Sequence, residues 1–194
     1  MNLQPKNKVF FDKELHRYTD EAGKIYPSVT EILSYLKIVD YSSAPQAVRD
    51  NALNFGTIFH DTINLLDTDN LKSYDMSLSA WMDGYSKFLT DMNPEYSIIE
   101  QPLISRKYGF AGTPDRVYNK VELDIKTGHP AFWHELQLAG YELLLDENYG
   151  LKIEKRLGLY IDKDKYTLKK YEKKISVFLG CVNLYHYLKG KNGR

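Results

Sequence analysis

The chain has 194 residues, 43% of them hydrophobic and 27% charged, the balance of an ordinary soluble globular protein and enough length for one domain with a substantial core. No apolar run is long enough to span a membrane, the first residues lack the apolar stretch of a secretory signal, and the single cysteine, Cys181, excludes an intrachain disulfide framework and a multi-cysteine metal cluster. The formal net charge is zero but unevenly spread, net −8 over residues 1–150 and net +8 over residues 151–194. An intracellular, reducing compartment is expected.

Taken in chain order, Val9-Phe10-Phe11 and His16-Arg17-Tyr18-Thr19 read as two short strands, with Asp20 to Gly23 as a turn. Ser28 and Glu31 have capping-box spacing, and Ile32, Leu33, Tyr35 and Leu36 follow as the apolar face of a helix. Residues from about Ala44 to Leu66 read as helical, interrupted or tightened near Gly56. A further helix runs from about Leu78 to Met92, ahead of Pro94. The pattern then turns to strands: Tyr96 to Pro102 followed by Leu103-Ile104-Ser105, then Gly109 to Val117 and Val121 to Lys126, the last two joined by a tight turn at Tyr118-Asn119-Lys120. A helix over about Ala131 to Asp146, strands over Leu157–Asp162 and Tyr166–Tyr171, and a closing helix over Ile175–Leu188 complete the order. This is an α/β chain with a central mixed β-sheet flanked by helices.

The densest chemistry lies in Gly112-Thr113-Pro114-Asp115 and Glu122-Leu123-Asp124-Ile125-Lys126-Thr127-Gly128. Asp124 and Lys126 are two apart on a strand and share a face, while Leu123 and Ile125 point to the other. A hairpin turning near Asn119 sets Asp115 beside Asp124, and two such carboxylates repel unless a cation lies between them. Oxygen ligands of this kind suit Mg2+ or Mn2+. Glu122 shares the face of Asp124, so either is a candidate acid. Thr127 is placed to touch a phosphate. The plainer alternative is a surface hairpin with solvated charges and an Asp124–Lys126 salt bridge. Likewise, Lys163, Lys165, Lys169, Lys170, Lys173 and Lys174 either follow a phosphate backbone or simply solvate a strand face and a helix start. His129 and His134, near a helix start, read as capping or solvated, and most of the 16 tyrosines as core and sheet packing.

Asp115 followed by Asp124-Ile125-Lys126 resembles the PD-(D/E)XK nuclease superfamily, and Pro114-Asp115 reproduces the first half of its signature. Gly56-Thr57-Ile58-Phe59-His60 and Gln137-Leu138-Ala139-Gly140-Tyr141 are similar to the Gly-x-x-x-His and Gln-x-x-x-Tyr elements of the RecB-like branch, in the branch's own order. The resemblance implies a restriction-endonuclease-like core over residues 51–190, within a single domain over 1–194 whose first fifty residues form a hairpin-and-helix extension. It implies one or two Mg2+ or Mn2+ ions held by His60, Asp115, Asp124 and the backbone carbonyl of Ile125, with Lys126, Asp124 and Asp115 catalytic. Gln137 and Tyr141 then either contact DNA or buttress Lys126, Thr127 is a further substrate contact, and Glu100 occupies the place of a further acid in some relatives. The one cysteine leaves no room for the iron–sulfur cluster of some members, and there is no Walker A sequence.

The function so implied is metal-dependent hydrolysis of DNA phosphodiester bonds to 5′-phosphate products, by an exonuclease of the phage recombination or repair type in a bacterial or phage-infected cell. DNA ends are the expected partner, with a homo-oligomer or a recombination protein as further partners and no membrane. Three rivals remain: a structure-specific endonuclease on the same core, an inactive nucleic-acid-binding protein, and a metal-binding protein without nucleic acid.

Overall fold

The computed structural model describes residues 4–39 and 45–192. Three short strands come first, β1 (Phe10–Asp12), β2 (Arg17–Thr19) and β3 (Ile25–Tyr26), antiparallel in that order. The expected turn lies between β2 and β3, where Gly23 takes φ +77° and donates its N–H to the Asp20 carbonyl. β3 was not anticipated, because two residues are too few to show an alternation. Helix α1 (Val29–Tyr35) is capped as its sequence requires, the Ser28 hydroxyl accepting from Glu31 N at 3.0 Å. Helix α2 (Gln46–Asp67) runs without a break through Gly56, so the expected interruption is absent. An isolated glycine weakens a helix by only about 1 kcal/mol, and Phe59 and Ile63 further along the helix are buried in the core. The expected start at Ala44 lies outside the described residues.

Helix α3 (Ser79–Met92) follows a short 3-10 turn and stops at Asn93, whose left-handed conformation precedes Pro94. Strand β4 (Ile98–Ile99) is much shorter than the reading of Tyr96–Pro102, since Glu100 takes φ +40° and ends it. Strand β5 (Leu103–Ser105) pairs with β6 (Phe110–Gly112) as a separate hairpin. The single strand expected over Gly109–Val117 is therefore corrected to two strands in different sheets, β6 and β7 (Arg116–Tyr118). Pro114 has no N–H for a ladder and sits at the break.

β7 turns into β8 (Val121–Lys126) through Asn119 and Lys120, both at positive φ, the geometry of a two-residue type I′ hairpin. Helix α4 (His134–Tyr149) then crosses over to β9 (Lys155–Asp162), which lies parallel to β8. β10 (Lys165–Tyr171) pairs antiparallel with β9, and α5 (Ile175–Asn192) ends the described chain.

The result is the expected mixed α/β architecture: a five-stranded sheet in the order β10-β9-β8-β7-β4, flanked by helices. On one face Leu123, Ile125, Leu159 and Ile161 pack with Phe59 and Ile63 of α2 and Met82, Tyr85 and Phe88 of α3. On the other, Val117 packs with residues of α1, α4 and α5. Gly84 lets α3 lie against the β9–β10 turn, since a Cβ there would stand 2.1 Å from the Lys163 carbonyl oxygen. Lys163, Lys165 and Lys170 lie exposed at the open edge formed by β10, which guards that edge against pairing with another chain. Among the described residues no helix is long and apolar enough to cross a membrane.

Candidate active site

The β7–β8 register sets Arg116 against Leu123 and Val117 against Glu122, so continuing the alternation puts Asp115, Glu122 and Asp124 on the α4 side. The solvated surface hairpin is thereby ruled out: Glu122 and Asp124 are fully buried and Asp115 is only 9% exposed. Asp124 Oδ1 accepts from Lys126 Nζ at 2.7 Å, while Oδ2 is buried with no partner. Burial, reinforced by the neighbouring charge of Asp115, pushes the Asp124 carboxyl up to about 6 against the pull of Lys126. Asp115 Oδ2 accepts from Ile125 N at 2.7 Å.

The carbonyl of the same Ile125 lies 2.9 Å from His60 Nε2, across the sheet on α2. One residue of β8 thus ties the first aspartate to the helical histidine. His60 Nδ1 faces Glu100 Oε1 at 3.8 Å. Burial alone would lower the histidine's pKa; Asp115 and Glu100 outweigh it, and the net direction is upward. Glu100 is itself held by Arg116 Nη1 at 3.4 Å. Arg116, fully buried, also donates to Asp67 Oδ2 at 2.7 Å and to the Asp115 carbonyl at 2.8 Å.

Gln137 and Tyr141 share a face of α4 as their spacing requires, and Gln137 Nε2 donates to the Tyr141 hydroxyl at 2.9 Å. Burial, and the charges of Asp115 and Asp124, raise the Tyr141 pKa well above the ordinary phenol value. Gly112 makes the approach possible, because a Cβ there would lie 2.7 Å from the Tyr141 ring. Gln137 Oε1 is buried without a partner. Both Glu122 oxygens are also buried without partners, and burial together with Glu142 and Asp124 pushes its pKa well above the ordinary carboxylate value. Glu142 is paired with Arg156 and with Lys173, at 2.8 Å for the lysine.

These groups meet at a cleft of about 960 Å3, lined by His60, Glu100, Asp115, Lys126, Thr127 and Tyr141 together with the β1–β2 hairpin and the first half of α2. His134 also lines it and corrects an expectation. It is neither a helix cap nor solvated: it is the first residue of α4, buried, with Nδ1 accepting from Ala131 N of the preceding loop at 3.3 Å. Its Nδ1 is 2.6 Å from the Tyr160 hydroxyl, which is 2.5 Å from that of Tyr171. Since Nδ1 accepts, the proton is on Nε2. Burial, with Lys126 and Lys169 nearby, depresses this imidazole to about 3.

The donor set, carboxylate, carbonyl and imidazole, is one that Mg2+ or Mn2+ accepts, and the orphaned Asp124 Oδ2 is an atom a cation would satisfy. Among the described residues, however, no three His, Cys, Asp or Glu side chains gather as a ready ligand cluster.

No protein-family model matches the chain, and no curated protein does. Its fold is similar, at low overlap, to solved structures. The crystal structure of SSO0001 has 18% identity and TM-score 0.39, over 82% of this chain and 70% of that one. An alkaline exonuclease (LHK-Exo) from Laribacter hongkongensis has 11% identity and TM-score 0.38, over 87% and 93%. The same exonuclease in complex with dAMP has 13% identity and TM-score 0.32, over 87% and 93%.

Proposed function

We propose that this chain is a metal-dependent nuclease that hydrolyses the phosphodiester backbone of DNA, acting from free ends and leaving 5′ phosphates. One observation carries the reading: a fully buried Asp124 holds Lys126 with one oxygen and keeps the other without a hydrogen-bond partner, while Lys126 and Asp115 line a large cleft. A fold that sought only stability would not bury an unsatisfied carboxylate, which costs about 1–3 kcal/mol or more.

Asp115, Asp124, the Ile125 carbonyl and His60 are the groups to hold Mg2+ or Mn2+, and the bound ion supplies Lewis acidity and a water of lowered pKa. Lys126, anchored by Asp124 with its side chain 22% exposed to the cleft, sets an ammonium where charge grows on the phosphorus oxygens. Tyr141, oriented by Gln137, and Thr127 offer hydroxyls to the flanking phosphate. Glu100, steadied by Arg116, fixes the ring of His60.

The test is incubation of linear and closed circular DNA with Mg2+ or Mn2+, beside Lys126→Ala. Metal-dependent loss of the linear form alone, abolished in the variant, is the expected result; nicking of the circle would make the enzyme an endonuclease. A second reading, a DNA-binding protein without turnover, draws on Asp115 being engaged by Ile125 N. It predicts binding without cleavage under either metal.

A further inference from the structure

We propose that the β1–β2 hairpin is the base-stacking wall of a subsite for single-stranded DNA, in which Phe11 and His16, backed by Tyr18, receive an unpaired nucleobase beside the catalytic floor. The inference rests on the nuclease reading for the reaction and adds the form of DNA that enters.

The three rings form one cluster. Phe11 and Tyr18 stack with centroids 4.4 Å apart, and His16 meets both edge-on at 5.6 and 5.5 Å. They are graded from core to solvent: Tyr18 is buried, Phe11 half-buried and His16 exposed, and all three line the cleft. His16 closes the β1–β2 turn at φ +48°, a conformation histidine adopts more readily than most residues. The wall is fixed to the site. Tyr18 packs with Tyr26 on Ile104 and Ala111, and its hydroxyl shares a 2.9 Å hydrogen bond with Thr113, two residues before Asp115.

The opposite wall, from α2, mixes apolar side chains with Gln46, Arg49 and Asp50. Val48 and Leu53 of α2 are 58% and 63% exposed yet face the same cleft. Lys13, in the hairpin turn, reaches Asp61 of α2 at 2.6 Å, next to His60, and so straps the two walls together. A strapped cleft of about 960 Å3 is at the upper end of small-ligand sites. Aromatic faces are a general means of holding unpaired strands, because every base has a π-face.

The test uses Lys126→Ala protein, so that nothing is cut, and fluorescence anisotropy with a labelled deoxythymidine decamer. The controls are the same sugar–phosphate chain without bases and a blunt duplex. Phe11→Leu and His16→Ala are each expected to weaken decamer binding about tenfold, the loss of one base–aromatic stack. Phe11→Trp should retain it. The abasic chain should bind parent and variants alike, and the duplex should be unaffected. Equal losses on decamer and abasic chain, no loss in either variant, or a duplex that binds more tightly than the decamer and loses affinity in Phe11→Leu would each overturn the proposal. Unchanged melting temperatures exclude misfolding as the cause. Failure of the nuclease reading shows separately, as wild-type protein that leaves DNA uncut.

Discussion

Two clusters of charge are buried on opposite faces of the β7–β8 hairpin, and the fold treats them differently. On the α2–α3 side Arg116 meets Asp67, Glu100 and the Asp115 carbonyl, and Asp67 also accepts from Tyr85 at 2.6 Å, with Arg116 Nη2 and the nearby Tyr118 hydroxyl left without partners. On the α4 side both oxygens of Glu122, one of Asp124 and one of Gln137 have none. The first cluster pairs its charges with one another and braces the sheet. The second keeps unsatisfied polar atoms on the face that also carries Asp115 of the cleft, the pattern expected of groups kept for a ligand rather than for stability.

The contrast is broken most forcefully at Asp124. Asp124→Asn is expected to lower cleavage about a thousandfold, as is Lys126→Ala. It should nonetheless raise Tm by about 2–4 °C, roughly a 1 kcal/mol gain from no longer burying a charge. A destabilised Asp124→Asn would place this carboxylate among the structural groups. On the other face, Arg116→Leu strands a buried Asp67 and is expected to lose about 3–5 kcal/mol by urea titration. A loss under 1 kcal/mol would mean the paired network is not a brace.

Acid pH sharpens the comparison further. The His134 imidazole, near 3 in the fold against an ordinary 6.5, takes its proton only in the unfolded chain, so its contribution to stability falls as pH drops below about 6.5. Asp124, near 6 against 3.8, takes its proton first in the fold, so its contribution rises as pH drops from about 6 toward 4. His134→Gln should therefore flatten the acid loss of Tm between pH 7 and 4.5, and Asp124→Asn should steepen it. The smallest effect is expected at Glu122. Burial and its acidic neighbours favour the protonated carboxyl, so Glu122→Gln should leave stability at pH 7 within about 0.5 kcal/mol in the same titration.

What the sequence makes legible here is what is local. The alternation over Val121–Lys126 and the Asn119–Lys120 turn are set by residues within reach of one another, and they fix which side chains share the face of Asp124. Ser28 and Glu31 announce α1 in the same way. Pro114 was a visible signal for the break between β6 and β7, outweighed by the apolar residues on either side. The burial of His134 had no local signal, because Tyr160 and Tyr171 reach it from strands 26 and 37 residues further on. Nor did the Arg116 brace, whose partner Asp67 lies 49 residues away, or the hairpin at the cleft mouth, which is joined to Thr113 across 95.

The tight turn between β7 and β8 also bears on time. A two-residue loop closes quickly, within about 1–10 μs for isolated hairpins, and at that stage Glu122 and Asp124 are still hydrated. Water leaves them only when α4 and β9, joined through a much longer crossover, come down on the hairpin. The electrostatic penalty of the site therefore falls on a late step, and the unfavourable charges oppose closure without hindering the first pairing. Neutralising Asp124 is then expected to speed the docking of α4 and to leave the early hairpin as it was, so the same carboxylate that equips the cleft also slows the last stage of folding.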